Sequence, residues 1–263
     1  MSQPAVVVER EGPILVVALN RPEKRNAVNA EVMCRLYDAW VELDRDEALR
    51  VAILTGRGST FCAGMDLAEL SSGAPGASGF DTGAAGQEEM AQAIAACPAP
   101  IIAAVNGHAI TGGFELALAC DVIVASTRAS FSDTHARVGI LPGWGLSQRL
   151  PRLIGVSRAK ELALTGNALD AARAYEWGLV NRVVEPEELL PTCRALARDM
   201  ASCVPAALRG YKRLIDRGAG MLLPDALAFE RAASIESARS VASAEIAGRR
   251  EAVQQRGRDR GDP

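Results

Sequence analysis

Short runs of aliphatic residues constrain the fold of this chain more than any other feature. Turn signals close them, as Asn20-Arg21-Pro22 closes the first. A strand that is apolar on both faces lies in a sheet covered on both sides. Helical stretches separate the runs, and apolar side chains recur at helical spacing over residues 31–43. We therefore predict an α/β protein. The runs are residues 14–19, 51–55, 101–105 and 122–125.

The length and charge of the chain limit its partners. Its 263 residues suffice for one domain with an appendage. With 29 Lys and Arg against 32 Asp and Glu, the net charge of −3 excludes broad electrostatic capture of nucleic acid. An anionic ligand therefore has to be met by local donors.

The N-terminal residues and the cysteines indicate a location. The first ten residues hold no basic region followed by a long apolar stretch, so they do not form a secretory signal. The apolar runs are far shorter than the roughly 18 residues that span a membrane. The six cysteines form no CxxC pair, and two histidines argue against a Cys/His metal site. We expect a soluble, cytoplasmic protein with no metal and no membrane association.

Two further segments divide the chain. Residues 71–86 are rich in glycine, which is typical either of a surface insertion or of a mobile flap beside a ligand site. Beyond Pro191 the strand signal stops, and helices are predicted over 196–200, 206–216 and 223–247. This helical region packs either on its own chain or on a neighbour. We therefore divide the chain into a core, 1–195, and a C-terminal helical region, 196–263.

Familiar catalytic motifs are missing from the sequence. No GxGxxG follows a predicted strand, and GxxxxGK[ST], HExxH and GxSxG do not occur. Nicotinamide-dependent, nucleotide-hydrolysing, metalloprotease and serine hydrolase functions thus lose their usual support.

Two glycine-containing segments remain as candidate sites. In residues 58–70 a glycine turn leads into a short helix that Asp66 is placed to cap. In residues 105–121 a strand ends, Gly112-Gly113 exposes the backbone, and an apolar helix begins. Free N–H groups at a helix start bind anions, and glycine lets a ligand oxygen approach. Glu115, in the first turn of this helix, either stabilises the helix dipole or acts as a base.

Together these segments resemble the paired oxyanion segments of the crotonase, or enoyl-CoA hydratase/isomerase, superfamily. Residues 19–27, 139–150 and 164–180 are similar to it as well, so that the resemblance covers roughly residues 5–215 in order. It implies a spiral of ββα units in two sheet layers with a C-terminal helical region. It also implies an acyl-CoA thioester substrate, a role in fatty acid metabolism, and assembly into a trimer or hexamer. No cofactor is implied, since coenzyme A is part of the substrate.

The resemblance assigns roles in catalysis. Backbone N–H groups of Met65 and Gly112 would hold the thioester carbonyl, and Glu115 matches the first of two catalytic glutamates. The second position is His135 here, which departs from the two-carboxylate pattern. An imidazole with an ordinary pKa of about 6.5 can donate or accept a proton near neutrality. His135 therefore either assists proton delivery or only shapes the pocket.

The resemblance also assigns residues to binding. Trp144 either narrows the acyl pocket or is a packing aromatic, and a structural role is expected for His108. The cations Lys24 and Arg25 either meet CoA phosphates or are merely solvated. The backbones expected to line CoA are those of Ala27, Ala63 and Leu67, and the neighbouring Asp66 is included among the binding residues.

The function that follows is hydration of a 2-enoyl-CoA. The rivals within the fold are a double-bond isomerase, which one carboxylate could serve, and a hydrolase. A non-catalytic acyl-CoA-binding protein is a different class, and the carboxylate at Glu115 argues against it. A serine peptidase with a related spiral would need a serine beside a suitable base, which the sequence does not offer.

Overall fold

The computed structural model describes residues 3–71, 85–240 and 243–260. The glycine-rich segment 71–86, predicted to be an insertion or a flap, lies largely outside these ranges. The chain forms two compact units, Met1–Arg209 and Gly210–Pro263. The functional boundary at residues 195 and 196 stays a prediction.

In the first unit, two sheets are formed by the described strands. The larger sheet contains, in spatial order, β1 (Val6–Glu11), β2 (Ile14–Leu19), β3 (Val51–Gly56), β5 (Ile101–Val105), β7 (Val122–Ser126) and β10 (Arg182–Val184). Within it β1 is antiparallel to β2, and the other neighbours are parallel. The smaller sheet contains β4 (Thr60–Cys62), β6 (His108–Ile110), β8 (Ser130–Ser132) and β9 (Leu169–Asp170).

Three successive units of two strands and a helix link the sheets. In each, the first strand joins the larger sheet, the second joins the smaller sheet, and a helix follows. The helices are α2 (Leu67–Ser71), α4 (Gly112–Ala119) and α5 (His135–Val138). This order confirms the spiral of ββα units implied by the resemblance.

The larger sheet is buried on both faces, as its aliphatic runs predict. Successive side chains of a strand point to opposite faces. On β2, Leu15 and Val17 enter one hydrophobic cluster while Ile14 and Val16 enter another. The strands β3, β5 and β7 divide in the same way, which explains why their sequences do not alternate with polar residues.

Different helices cover the two faces. On one face, α1 (Ala30–Arg45) buries Val32, Leu36 and Trp40. On the other face, α9 (Leu189–Ala201) buries a stripe at helical spacing. The sequence interpretation began this helix at residue 196, which was wrong. Leu189 and Cys193 lie on the same buried stripe as Ala197, and a proline in the first turn needs no N–H donor.

The other helices of the first unit lie around this core. They are α3 (Ala85–Ala96), α6 (Leu146–Ile154), α7 (Val156–Thr165) and α8 (Ala171–Glu176), with 3-10 turns at Pro22–Lys24 and Pro186–Glu188. The helix α10 (Pro205–Gly218) runs across the unit boundary.

The second unit contains α11 (Leu223–Ser240) and α12 (Ser243–Arg260). Within it the Arg217 guanidinium lies 5.5 Å from the ring centroid of Phe229. Several large apolar side chains of this unit are exposed, namely Leu222, Leu223, Leu227 and Ile235. Of the helices in the described ranges, none combines the length and apolar character needed to cross a membrane.

Candidate active site

The turn between β6 and α4 holds an unusual backbone conformation. Thr111 has φ 54° and ψ −109°, which is strained for a β-branched residue. Three contacts with residues 132–134 hold it: its N–H donates to the Ser132 carbonyl at 2.8 Å, its hydroxyl lies 2.6 Å from that of Thr134, and the same hydroxyl oxygen accepts the Thr134 N–H at 3.2 Å. At Gly113 a Cβ would overlap the backbone of Cys62, so glycine is required there. At Gly112 a Cβ would come no closer than 3.3 Å to the Trp144 ring.

The structure brings Met65 and Gly112 together. The Val28 N–H donates to the Gly64 carbonyl at 2.7 Å, and the Asp66 N–H donates to the Val28 carbonyl at 2.9 Å. The intervening N–H of Met65 consequently faces away from Val28. A Cβ built on Gly112 would lie 3.7 Å from the Met65 nitrogen. Neither N–H donates to another residue in the described ranges, so that two adjacent donors are available to a ligand oxygen.

Glu115 is buried, with 3% of its surface exposed. Its Oε1 accepts hydrogen bonds from the Trp144 N–H at 2.8 Å and the Leu146 N–H at 3.2 Å. Burial raises the pKa of Glu115, although these two donors and the nearby His135 act in the opposite direction. One carboxylate oxygen is thus fixed by the backbone, and Oε2 is left to face His135.

His135 lies between two carboxylates at the start of α5. Its Nε2 is 3.7 Å from Oε2 of Glu115, and its Nδ1 is 2.6 Å from Oδ1 of Asp133. The same Asp133 oxygen accepts the His135 backbone N–H at 3.1 Å. Both side chains are buried. The sequence analysis did not identify Asp133, although its position two residues before His135 was an available signal.

A small cavity borders Glu115. Trp144 lines it, packs against the core, and would lie 3.3 Å from a Cβ on Gly112. Both interpretations of Trp144, a pocket wall and a packing aromatic, are therefore compatible with its place. The other lining residues are Met90, Ala91, Ile94, Leu116, Ala119 and Arg149.

The segments predicted to contact CoA also meet. The Ala63 N–H donates to the Arg25 carbonyl at 3.0 Å, beside the Val28–Met65 bridge. Lys24 and Arg25 are exposed, as is Leu67. The Ala27 carbonyl is half-buried and accepts a hydrogen bond from the Arg21 guanidinium at 2.6 Å. These residues form one surface next to Met65, and their contact with CoA stays a prediction.

Asp66 is engaged within the protein. Its Oδ2 lies 3.0 Å from the Arg21 guanidinium, and its Oδ1 accepts the Glu69 N–H at 3.4 Å. Burial tends to raise the pKa of Asp66, but Arg21 and the backbone donors hold it below its usual value. The carboxylate caps α2, as the sequence predicts, and fixes Arg21.

His108 lies apart from this cluster. It is exposed on β6, where its Nδ1 is 2.7 Å from the Ser130 hydroxyl. This hydrogen-bond partner lies on β8, a neighbouring strand of the smaller sheet, and the structural role expected for His108 stays a prediction. In the ranges that the structure describes, no group of three or more His, Cys, Asp or Glu side chains could hold a metal ion.

Comparison with known proteins identifies one family for this chain. The family model described as "Enoyl-CoA hydratase/isomerase" matches residues 9–250. "Probable enoyl-CoA hydratase 1, peroxisomal" of Arabidopsis thaliana is 41% identical over 233 residues, which cover 88% of this chain and 86% of that protein. The "Short-chain-enoyl-CoA hydratase" of Clostridium acetobutylicum is 38% identical over 226 residues, which cover 86% of each.

Solved structures are similar over nearly the whole chain. The crystal structure of enoyl-CoA hydratase from Mycobacterium tuberculosis H37Rv is 38% identical with a TM-score of 0.85. That similarity covers 96% of this chain and 97% of the other. The sheets, the ββα order and the helices described above therefore belong to a known architecture.

Proposed function

Because the chain belongs to the enoyl-CoA hydratase/isomerase family, we propose that it adds water across the double bond of a 2-enoyl-CoA to give 3-hydroxyacyl-CoA. The observation that supports this proposal is the buried Glu115 in the first turn of α4. The first N–H of that helix, at Gly112, lies beside the N–H of Met65. Adding water changes no net oxidation state. The reaction therefore needs no cofactor, and coenzyme A enters as part of the substrate.

The paired N–H groups stabilise the charge that develops. Attack at Cβ moves electrons through the conjugated system onto the thioester oxygen, forming an enolate. The Met65 and Gly112 donors meet that oxygen without reorganisation, because glycine at 112 and the Val28–Met65 bridge fix them in place. One such donor is typically worth roughly 3–4 kcal/mol of barrier.

Glu115 activates the water. Its Oε1 is held by the Trp144 and Leu146 N–H groups, so Oε2 takes a water proton while the water oxygen bonds to Cβ. Burial raises the pKa of this carboxyl, and a base whose pKa is nearer to the working pH transfers protons more effectively. One oxygen thus positions the base while the other carries out the chemistry.

His135 supplies the second proton. In its protonated form the imidazole delivers the Nε2 proton to Cα as the enolate collapses, which leaves neutral His135 and protonated Glu115. The gap of 3.7 Å between Nε2 and Oε2 is longer than a hydrogen bond, so the transfer between them requires the two side chains to move closer. A proton passing from Glu115 to His135 across it restores the starting state, so that each cycle consumes one water and no other proton source.

Substrate binding and assembly complete the proposal. The backbones of Ala27, Ala63 and Leu67 line CoA, and the exposed Lys24 and Arg25 meet its phosphates. The exposed apolar side chains of the second unit pack against other copies in a trimer or hexamer. A cytoplasmic location stays a prediction.

Incubation with a panel of 2-enoyl-CoA thioesters tests the activity. Product mass greater by one water supports hydration, while an unchanged mass with a moved double bond would indicate an isomerase. Free CoA would indicate a hydrolase, and no turnover with retained binding would indicate a binding protein. The Glu115→Gln variant, prepared in the same way, controls for a contaminating hydratase.

A further inference from the structure

We propose that Asp133 is a positioning residue for the proposed hydration, because it holds a proton on Nδ1 of His135 and so directs Nε2 toward Glu115. This inference rests on the proposed function for its catalytic meaning. Asp133 lies two residues before His135, immediately after β8. It faces the ring nitrogen opposite to the one that faces Glu115.

The geometry fixes the tautomer. An ionised carboxylate only accepts hydrogen bonds, so the 2.6 Å contact with Oδ1 requires a proton on Nδ1. Oδ1 also accepts the His135 backbone N–H at 3.1 Å, which ties the carboxylate to the main chain that carries the ring. Asp133 and His135 are 3% and 6% exposed, and in such an environment a charge-assisted hydrogen bond is strong.

The consequence concerns Nε2. With Nδ1 protonated, neutral His135 presents a lone pair to Glu115, and cationic His135 presents an N–H. These are the two forms that the proposed proton cycle uses. If the neutral ring carried its proton on Nε2, that nitrogen would have no lone pair with which to accept the proton of Glu115. Asp133 excludes that form through its contact with Nδ1.

Other charged groups leave this assignment unchanged. From α4, the carboxylate that faces His135 is Glu115. On α5 itself, Arg137 is exposed and its Nε donates to the Thr165 carbonyl at 2.7 Å. Arg149 of α6, which lines the cavity, donates to the Leu118 carbonyl at 3.2 Å. The charged side chains of α7, which packs on α5, are exposed, namely Arg158, Lys160 and Glu161.

Nitrogen-15 NMR of the imidazole tests the positioning without requiring turnover. The chain has two histidines, and His108→Gln leaves His135 as the only labelled ring. We expect neutral His135 to carry its proton on Nδ1, and Asp133→Ala to move a large fraction of it to Nε2. An unchanged tautomer in Asp133→Ala would overturn the proposal, whatever reaction the enzyme catalyses.

Asp133→Asn tests the charge with less disturbance. The amide oxygen can still accept the backbone N–H, so folding is preserved, and thermal unfolding checks this. We expect kcat to fall roughly tenfold or more with little change in KM. Wild-type kcat in this variant would refute the role.

Two further variants separate positioning from a general loss of charge. Asp170→Asn removes an exposed carboxylate that caps α8 by accepting the Arg173 N–H at 2.8 Å, and it should leave kcat and KM unchanged. In a His135→Gln background, Asp133→Asn should cause no additional loss of kcat. A fully additive loss would show that Asp133 does not act through His135. If His135→Gln alone leaves kcat unchanged, His135 is not the acid of the proposed hydration. The NMR result still decides which ring nitrogen Asp133 keeps protonated.

Discussion

Replacing Glu115 with glutamine separates the two functions of its carboxylate. In the variant, the amide oxygen can still accept hydrogen bonds from the Trp144 and Leu146 N–H groups. The amide nitrogen then stands where Oε2 faces His135, and it cannot take a proton from water. Glu115→Gln therefore keeps the 144–146 loop in place and removes only the base.

The expected kinetic effect is large. Loss of a general base costs roughly 10²–10⁴-fold in kcat, which corresponds to about 2.7–5.4 kcal/mol at 1.36 kcal/mol per decade. The Met65 and Gly112 donors are untouched, and so is the surface around Ala27 and Ala63. Affinity for acyl-CoA should accordingly change little, and the loss should appear in kcat rather than KM.

Glu115→Gln should raise the stability of the fold although it lowers kcat. The fold raises the pKa of Glu115 above its ordinary 4.5, so the stability associated with the protonated carboxyl is present below pH 4.5 and is lost as pH rises through the folded-state pKa. Glutamine imitates the neutral acid at every pH. The variant should therefore melt at a higher temperature than the wild type above that window, and the two should converge in acid.

Glu115→Ala is the matched control. It removes the acceptor for two N–H groups, and a buried donor left unpaired costs about 1–3 kcal/mol. The buried Leu146 N–H should therefore cost about 1–3 kcal/mol of unfolding free energy, and the half-buried Trp144 N–H should add less than that. Alanine should lose both activity and stability, whereas glutamine should lose activity alone.

Steady-state hydration assays and thermal unfolding from pH 4 to pH 9 provide the measurements. If Glu115→Gln retains kcat within tenfold while His135→Gln abolishes turnover, the principal base has been assigned to the wrong residue. If Glu115→Gln melts lower than the wild type at neutral pH, the inferred direction of the pKa shift is wrong.

Three further predictions concern the acid, the donor pair and the assembly. His135→Gln should lower kcat roughly 10²–10⁴-fold, and a loss under tenfold would leave His135 only a shaping role. Gly112→Ala places a methyl group 3.3 Å from the Trp144 ring and 3.7 Å from the Met65 nitrogen, so kcat should fall roughly tenfold or more while the circular dichroism spectrum is preserved. Light scattering at micromolar concentration should give three or six times the chain mass of 27.7 kDa, and a monomer mass would contradict the proposed assembly.

The sheet could be predicted from the sequence because burial on both faces leaves a direct record in residue type. Every residue of β2 and β5 is buried, and each belongs to an aliphatic run. The helix over residues 31–43 was predicted for the same reason, since one stripe of α1 is buried. The start of α9 was missed because Pro191 was interpreted as an end to regular structure rather than as a residue of a first helical turn.

Much of the candidate site could not be predicted from residue types. Glu115 is held by the backbone N–H groups of Trp144 and Leu146, 29 and 31 residues further along the chain. A backbone donor is present at almost every residue, so residue type cannot reveal which one is used. The order of the strands, which brings Met65 beside Gly112, was expected only from the family resemblance.

Asp133 was missed for a different reason. The short strand β8 was not predicted, because three residues of alternating burial give too weak a pattern. Asp133 follows β8 and His135 begins α5, so the two meet through a turn in which the Asp133 carboxylate accepts the N–H two residues further along. The spacing of the two residues was visible in the sequence, but the turn that brings their side chains together was not.

A histidine at position 135 suits the charges of the two carboxylates beside it. Glu115 and Asp133 are both buried, and each lies within 4 Å of the imidazole. A glutamate at 135 would place three carboxylates in one poorly solvated cluster, and mutual repulsion would keep at least one of them protonated. An imidazolium between the two existing carboxylates instead balances one charge and supplies a transferable proton. The departure from the two-glutamate pattern and the presence of Asp133 therefore form one arrangement, in which a histidine and not a third carboxylate lies between Glu115 and Asp133.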